Sequence, residues 1–157
     1  MFIDGDLNVS PDKILDYINE VKDNDIVIAS KRHALSKVTI PTSRNFLSRA
    51  FNLLVRLSTG INIKDTQSGL KAGNGDSLRK IFSVMLVKRY AFDVELLSIA
   101  TLLKLRIKEM PVDIKLSNKF FYVDEIVRML LDVASISYRL KIKKWYQKQL
   151  SSEPKEV

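Results

Sequence analysis

A chain of 157 residues can bury the core of one domain but is short for two. Its 46% hydrophobic and 28% charged residues are ordinary for a globular protein, and the absence of cysteine excludes disulfides, thiolate metal sites and thiol catalysis. The single histidine, His33, cannot build a multi-histidine metal site, which leaves carboxylates, hydroxyls, amides and bases to carry any chemistry. The charge is uneven: residues 1–30 hold seven acids and two lysines, a net of −5, so the remainder carries +13 to reach the total of +8. A basic excess of this size favours an anionic partner, whether nucleic acid, phosphorylated substrate or anionic membrane. No apolar run reaches the roughly 18 residues of a transmembrane helix, and no basic segment followed by an apolar stretch opens the chain. The expected location is therefore cytosolic, or peripheral on the cytosolic face of a membrane.

In chain order, Phe2-Ile3 reads as the end of a buried strand and leads directly into Asp4-Gly5-Asp6. Asn8 or Ser10 is placed to cap a helix with Pro11 at its first position, and Ile14, Leu15, Ile18 and Val21 keep helical spacing. Asp25 to Ser30 is a short β-branched run, expected as a buried parallel strand. Residues 31–41 read as a basic loop ending at Pro41. A second helix opens at Thr42 or Ser43, carries an apolar stripe of Phe46, Leu47, Ala50, Phe51, Leu54, Val55 and Leu57, and stops at Gly60. Residues 61–76, bordered or occupied by four of the five glycines, read as a shaped loop. A short helix follows with Leu78, Ile81, Phe82 and Met85, then another from Phe92 to Leu105. Ile107 to Leu116 reads as a strand interrupted by Pro111, hence at an edge or a bend. The last element, Val123 to Leu150, would span about 42 Å as one helix. Ile126, Val127, Leu130, Leu131, Ala134, Tyr138, Ile142 and Trp145 lie near one face of it, and Arg139, Lys141, Lys143, Lys144 and Lys148 crowd its far end. Residues 151–157 are expected to form a disordered tail beyond a domain of residues 1–150. Alternating strands and helices make the expected class α/β.

Four features can carry chemistry. Asp4 and Asp6, at the end of a strand, suit a hard divalent cation such as Mg²⁺ or Mn²⁺, although Asp-Gly-Asp is also common in turns. Asp65-Thr66-Gln67-Ser68-Gly69-Leu70-Lys71 offers backbone N–H groups and Lys71 to a phosphate or sugar hydroxyl, or is simply structural. Asp93 and Glu95 stand two apart at the head of a helix. That is a position the helix dipole favours, and only one of the pair can face a given site. Arg44 and Ser48, four apart, share a helix face and can grip one phosphate.

Taken in order and spacing, these features resemble a known family. The acidic pair after a strand is followed by Ile28-Ala29-Ser30-Lys31-Arg32, Arg44-x3-Ser48, the 65–71 motif and Tyr90-Ala91-Phe92-Asp93-Val94-Glu95-Leu96-Leu97. The pattern is similar to GT-A family 2 glycosyltransferases that make dolichyl-phosphate sugars, first dolichyl-phosphate β-glucosyltransferase and next dolichol-phosphate mannose synthase. The similarity runs from Phe2 to about Tyr146. It implies the C-terminal part of a GT-A, Rossmann-like fold, an inverting transfer of a hexose from UDP-glucose or GDP-mannose, and a polyprenyl phosphate acceptor. It also implies that Asp4 and Asp6, with Asn8, hold Mg²⁺ or Mn²⁺, and that Lys31, Arg44, Ser48 and Lys119 contact the acceptor phosphate. Asp65, Gln67, Ser68, Gly69 and Lys71 then form the donor-sugar loop, and Asp93 is the catalytic-site carboxylate contacting the acceptor. Lys31 stands where the family has arginine, which reduces a bidentate phosphate contact to a point charge. The family carries a nucleotide-binding half ahead of the acidic pair, so a partner chain supplying that half is one expectation.

The terminal helix, apolar on one face and basic at its end, is expected either at an anionic membrane surface or as an ordinary core-packing helix. The alternative to a transferase is an inactive truncated remnant or a membrane-surface binding module. A nucleic-acid partner is not expected, because interleaved aromatics and a recognisable motif are lacking.

Overall fold

The computed structural model describes residues 1–3, 13–88, 91–115 and 123–152. In chain order its elements are β1 (Phe2–Ile3), α1 (Ile14–Glu20), β2 (Ile26–Ser30), β3 (Lys37–Thr39), α2 (Thr42–Thr59) and β4 (Leu70–Gly73). They continue with α3 (Gly75–Ser83), α4 (Phe92–Leu102), β5 (Ile107–Pro111), β6 (Asp113–Lys115), α5 (Val123–Ser137), a π-helical stretch (Tyr138–Ile142) and α6 (Trp145–Ser152). The α/β class holds.

The main sheet has the order β1-β4-β2-β5, and β3 and β6 form a separate parallel pair. β2 organises the sheet because every residue of its Ile-Val-Ile-Ala-Ser run is buried. Successive side chains point to opposite faces of a strand. Ile26 and Ile28 therefore enter a large core with Phe51, Val55, Leu96, Leu97 and Ile136. Val27 and Ala29 enter a smaller one with Tyr17, Leu70, Ala72 and Val112. β2 runs parallel to β5, as expected, but antiparallel to β4, so the sheet is mixed. Pro111 closes β5 at the sheet edge, where its missing N–H costs no ladder bond.

Several expectations are corrected. β3 lies inside the expected 31–41 loop, where Val38 and Thr39 are β-branched and pair with Ile114 and Lys115. β4 lies inside the expected 61–76 loop. A central strand carrying a lysine and ending in glycine does not read as one, yet Gly73 sits in a tight spot: a Cβ would meet Ile26 Cδ1 at 2.7 Å and the Asp25 carbonyl oxygen at 3.1 Å. The 107–116 strand divides at Val112 into two strands in different sheets. Phe2 is exposed rather than buried, its ring against Phe82 and Phe92 at 5.6 and 6.1 Å.

The single 42 Å terminal helix does not form. The N–H of Lys143 donates to the Tyr138 carbonyl, the wide turn of a π-helix, and Lys144 takes φ +49°, which redirects the chain into α6. Its core face is Val133, Ile136 and Leu140, with Met129 packed against them. Val127, Leu130, Leu131, Tyr138 and Ile142, placed together on the apolar face in the sequence, are exposed. Ser151 and Ser152, assigned to the tail, belong to α6, and residues 153–157 lie outside the described residues.

Asp25 ties three connections at one end of the sheet. Its Oδ2 accepts from the Arg106 N–H (2.8 Å), its Oδ1 from the Asn74 amide (3.1 Å), and Asn74 caps α3 by accepting from the Ser77 N–H. The Arg106 N–H, followed by the Asn74 amide and the Arg106 guanidinium, holds the Asp25 carboxyl below its ordinary 3.8. A carboxyl depressed on folding stabilises the fold above its unfolded value and loses that contribution as pH falls through the folded one. Asp25→Asn is therefore expected to flatten the loss of stability below about pH 4, measured by urea unfolding at stepped pH. An unchanged acid limb would show that the bonds add nothing.

Candidate functional site

One end of the main sheet gathers the motifs. Ile3 pairs with Leu70, Ile28 with Lys71 and Ser30 with Pro111, so β1, β2 and β5 finish where β4 begins. Chain ends of this kind at carboxyl edges of strands are where α/β proteins place ligands. Asp4, Asp6 and Asn8, and likewise Lys119, lie outside the described residues. Among the described residues no group of three or more His, Cys, Asp or Glu could hold a metal.

Asp65 is the anchor of a first cluster. It is buried; its Oδ2 accepts from the Lys31 N–H (2.8 Å), and its Oδ1 lies 3.4 Å from Lys31 Nζ. Lys31 Nζ also donates to the Gln67 carbonyl at 3.3 Å, so this lysine is joined to the 65–71 loop. The loop is fastened to α2 by Asn52, whose amide nitrogen donates to the Lys64 carbonyl (2.9 Å) while its oxygen accepts from Thr66 Oγ1 (3.1 Å). Arg32 completes the cluster, donating to the Lys64 carbonyl and to both the carbonyl (3.0 Å) and hydroxyl (3.4 Å) of Ser48. Burial lowers the Arg32 guanidinium from its usual value and Asp65 opposes that shift. Arg44, one turn ahead of Ser48 on α2, is half-buried. The Gln67 side chain turns away from these groups, its amide 3.2 Å from the Met129 sulfur on α5.

A second cluster joins the same loop to α4. Lys71, almost wholly buried in β4, donates to the Ser68 carbonyl and pairs with Asp93 at 3.0 Å. Charges this far from water persist only when paired. Asp93 keeps 27% of its side chain accessible. Ser68 and Ser30 are fully buried, and among the described residues neither hydroxyl has a hydrogen-bond partner. Gly69 bends the chain into β4.

Asp93 and Glu95 separate as their spacing requires. Glu95 has no accessible surface; its Oε2 accepts from the N–H groups of Leu86 (3.0 Å) and Val87 (2.7 Å), and its Oε1 accepts from the Tyr146 hydroxyl. Arg139 Nη2 stands 3.5 Å from the same oxygen, and its Nε donates to the Tyr146 hydroxyl oxygen. Burial first, then the bond to Glu95, pushes the Tyr146 hydroxyl pKa well above its ordinary 10. Glu95 is thus structural, and only Asp93 faces the loop.

Sequence reasoning passed over Arg32, Asn52 and Tyr146. Asn52 left a trace, a lone amide between Phe51 and Leu53 on an apolar helix face, and Arg32 another, directly after the matched Lys31. His33 is half-buried, with its Nδ1 accepting from the Leu35 N–H.

With this geometry, the comparison with curated proteins is direct. The chain is 28% identical over 132 residues, 82% of its length, to a dolichyl-phosphate β-glucosyltransferase of Trichomonas vaginalis. It is 39% identical over 95 residues, 59% of its length, to a dolichyl-phosphate β-glucosyltransferase of Drosophila melanogaster. An undecaprenyl-phosphate mannosyltransferase of Micrococcus luteus is 33% identical over 112 residues, 70% of the chain. The chain resembles the polyprenyl-phosphate glycosyltransferases. These matches span 39%, 29% and 46% of the relatives' own lengths, so the chain covers less than half of each. No protein-family model matches it. The relatives of the resembled group are glycosyltransferases by name, and the small mixed sheet with its helical cover is compatible with a piece of a GT-A-like fold.

Proposed function

We propose that this chain is the acceptor-handling part of an enzyme that moves a hexose from a nucleotide sugar, UDP-glucose or GDP-mannose, to a polyprenyl phosphate at a membrane surface. The observation that carries the reading is the meeting of the 65–71 loop with Lys31 on one side and Asp93 on the other, at one end of the sheet. In such a transfer a phosphate oxygen of the acceptor bonds to the sugar carbon as the bond to the nucleoside diphosphate breaks. A phosphate monoester is already largely ionised at neutral pH, with a second pKa of about 6, so no strong base is needed. The work left to the protein is positioning and charge. Arg32 and Lys31 supply fixed cations, Ser48 and Arg44 lie on the adjoining helix, and Lys71 orients the accessible edge of Asp93 toward an acceptor. Asp4, Asp6 and Asn8 offer hard oxygen donors suited to Mg²⁺ or Mn²⁺, which would neutralise the departing diphosphate.

The membrane is reached through α2. Phe46 and Leu57 are about three-quarters exposed, Leu47, Leu53 and Leu54 are also exposed, and Arg49 and Arg56 are exposed on the same helix. Apolar side chains flanked by cations suit an anionic interface. Among the described residues no helix is long and apolar enough to cross a membrane. Phe46→Ser with Leu57→Ser is expected to weaken sedimentation with anionic vesicles by about tenfold or more while leaving the melting temperature unchanged. Equal binding would move the interface elsewhere.

The deciding assay is transfer of radiolabelled glucose or mannose from UDP-glucose or GDP-mannose to dolichyl phosphate with Mn²⁺, with a relative's nucleotide-binding half supplied. Transfer that falls about a hundredfold or more in Asp93→Asn, consistent with lost positioning, supports the reading. No transfer from either donor, with vesicle binding kept, would leave a membrane-surface module instead.

A further inference from the structure

A cleft of about 400 Å³, lined by no residue of the 65–71 loop, lies between the segment after α3 and α5 with its π-helical continuation. Lys88, Arg128 and Arg139 line it, against a single acid, Asp132. Leu86 and Leu131 give it an apolar wall, and Ser135 adds a hydroxyl. Among the described residues neither Lys88 nor Arg128 enters an ion pair. Arg139 is paired with Glu95, but Lys88 and Arg128 stand without a carboxylate of their own among the described residues, and an anion lodged between them gains from both.

The walls are held in place. The Leu86 and Val87 N–H groups are fixed on Glu95, and Arg139 is oriented by the Tyr146 hydroxyl. Arg139 Nη2 is buried against Glu95 Oε1 at 3.5 Å, while 23% of that side chain remains accessible toward the cleft. A guanidinium held at Nε by the Tyr146 hydroxyl and at Nη2 by Glu95 keeps a fixed orientation, with its accessible part lining the cleft. The cationic lining attracts a doubly charged phosphate more than a singly charged carboxylate, with Asp132 opposing both, and the leucines favour an ester bearing apolar carbon.

We infer that this cleft binds the phosphate group of a phosphate ester, a role separate from sugar transfer. The same chemistry is offered by a phospholipid headgroup and by a free phosphate compound, and the experiment distinguishes them. Isotope-labelled protein is titrated with inorganic phosphate, with glycerol 3-phosphate, and with phosphatidylcholine vesicles that contain or lack phosphatidic acid. Saturable amide shifts at Val87, Lys88 and Arg128 are expected. Response to the soluble phosphates assigns a free ligand; response only to vesicles containing phosphatidic acid assigns a headgroup. Arg128→Gln, an exposed position whose loss leaves the fold intact, should weaken binding about tenfold, and Lys88→Gln with it further. Absence of saturable shifts with every probe, or unchanged affinity in the double variant, overturns the inference.

Discussion

Glu95→Ala is expected to lower the unfolding free energy by about 3–5 kcal/mol, the usual consequence of removing one partner from a buried charged network. For a chain of this length that corresponds to a fall on the order of 10 °C in melting temperature. The size follows from what is stranded. Two backbone N–H groups, a tyrosine hydroxyl and a guanidinium all converge on a carboxylate with no accessible surface. Glu95→Gln keeps an acceptor oxygen and should cost less, while Tyr146→Phe removes one bond and should cost about 1–2 kcal/mol. Thermal and urea unfolding check all three. A loss below about 1 kcal/mol in Glu95→Ala would mean that the segment before α4 is held by packing alone.

Asp65→Ala is expected to cost about 2–4 kcal/mol, because the Lys31 N–H loses its acceptor and the Lys31 ammonium loses its carboxylate partner, keeping only the Gln67 carbonyl. It should also release the loop that carries Gln67, Ser68 and Lys71. The separating measurement is hydrogen exchange at the Lys31 amide, which should quicken far more than exchange in β2 itself. Equal exchange in the variant would remove Asp65 from its anchoring role, whatever happened to stability.

The sequence made the buried strand legible because Ile26 to Ala29 is apolar without interruption, and it made α2, α3 and α4 legible through helical spacing. It hid β4, because a buried lysine looks polar until Asp93 is seen beside it. It hid the break near Lys144 for a different reason. Apolar residues occupy more than one side of residues 123–150, so spacing alone could not choose between Val127-Leu131-Tyr138 and Val133-Ile136-Leu140 as the inward side. For the site, the motifs located the loop, Lys31, Ser48 and Asp93 in one neighbourhood. What they could not supply was the fastening by Asn52 and Arg32, since each makes its bonds to backbone carbonyls far along the chain and leaves no periodic mark.

The turn at Lys144 also sets an order of events during synthesis. Glu95 waits for a tyrosine 51 positions later, and that tyrosine reaches it only after the chain has reversed beyond the π-helical stretch. On the ribosome, the Glu95 carboxylate is therefore expected to emerge with only the Leu86 and Val87 N–H groups available to it. The large core is complete only with Tyr146 in it, so a nascent chain stalled before that residue is expected to engage chaperones more than one released after it.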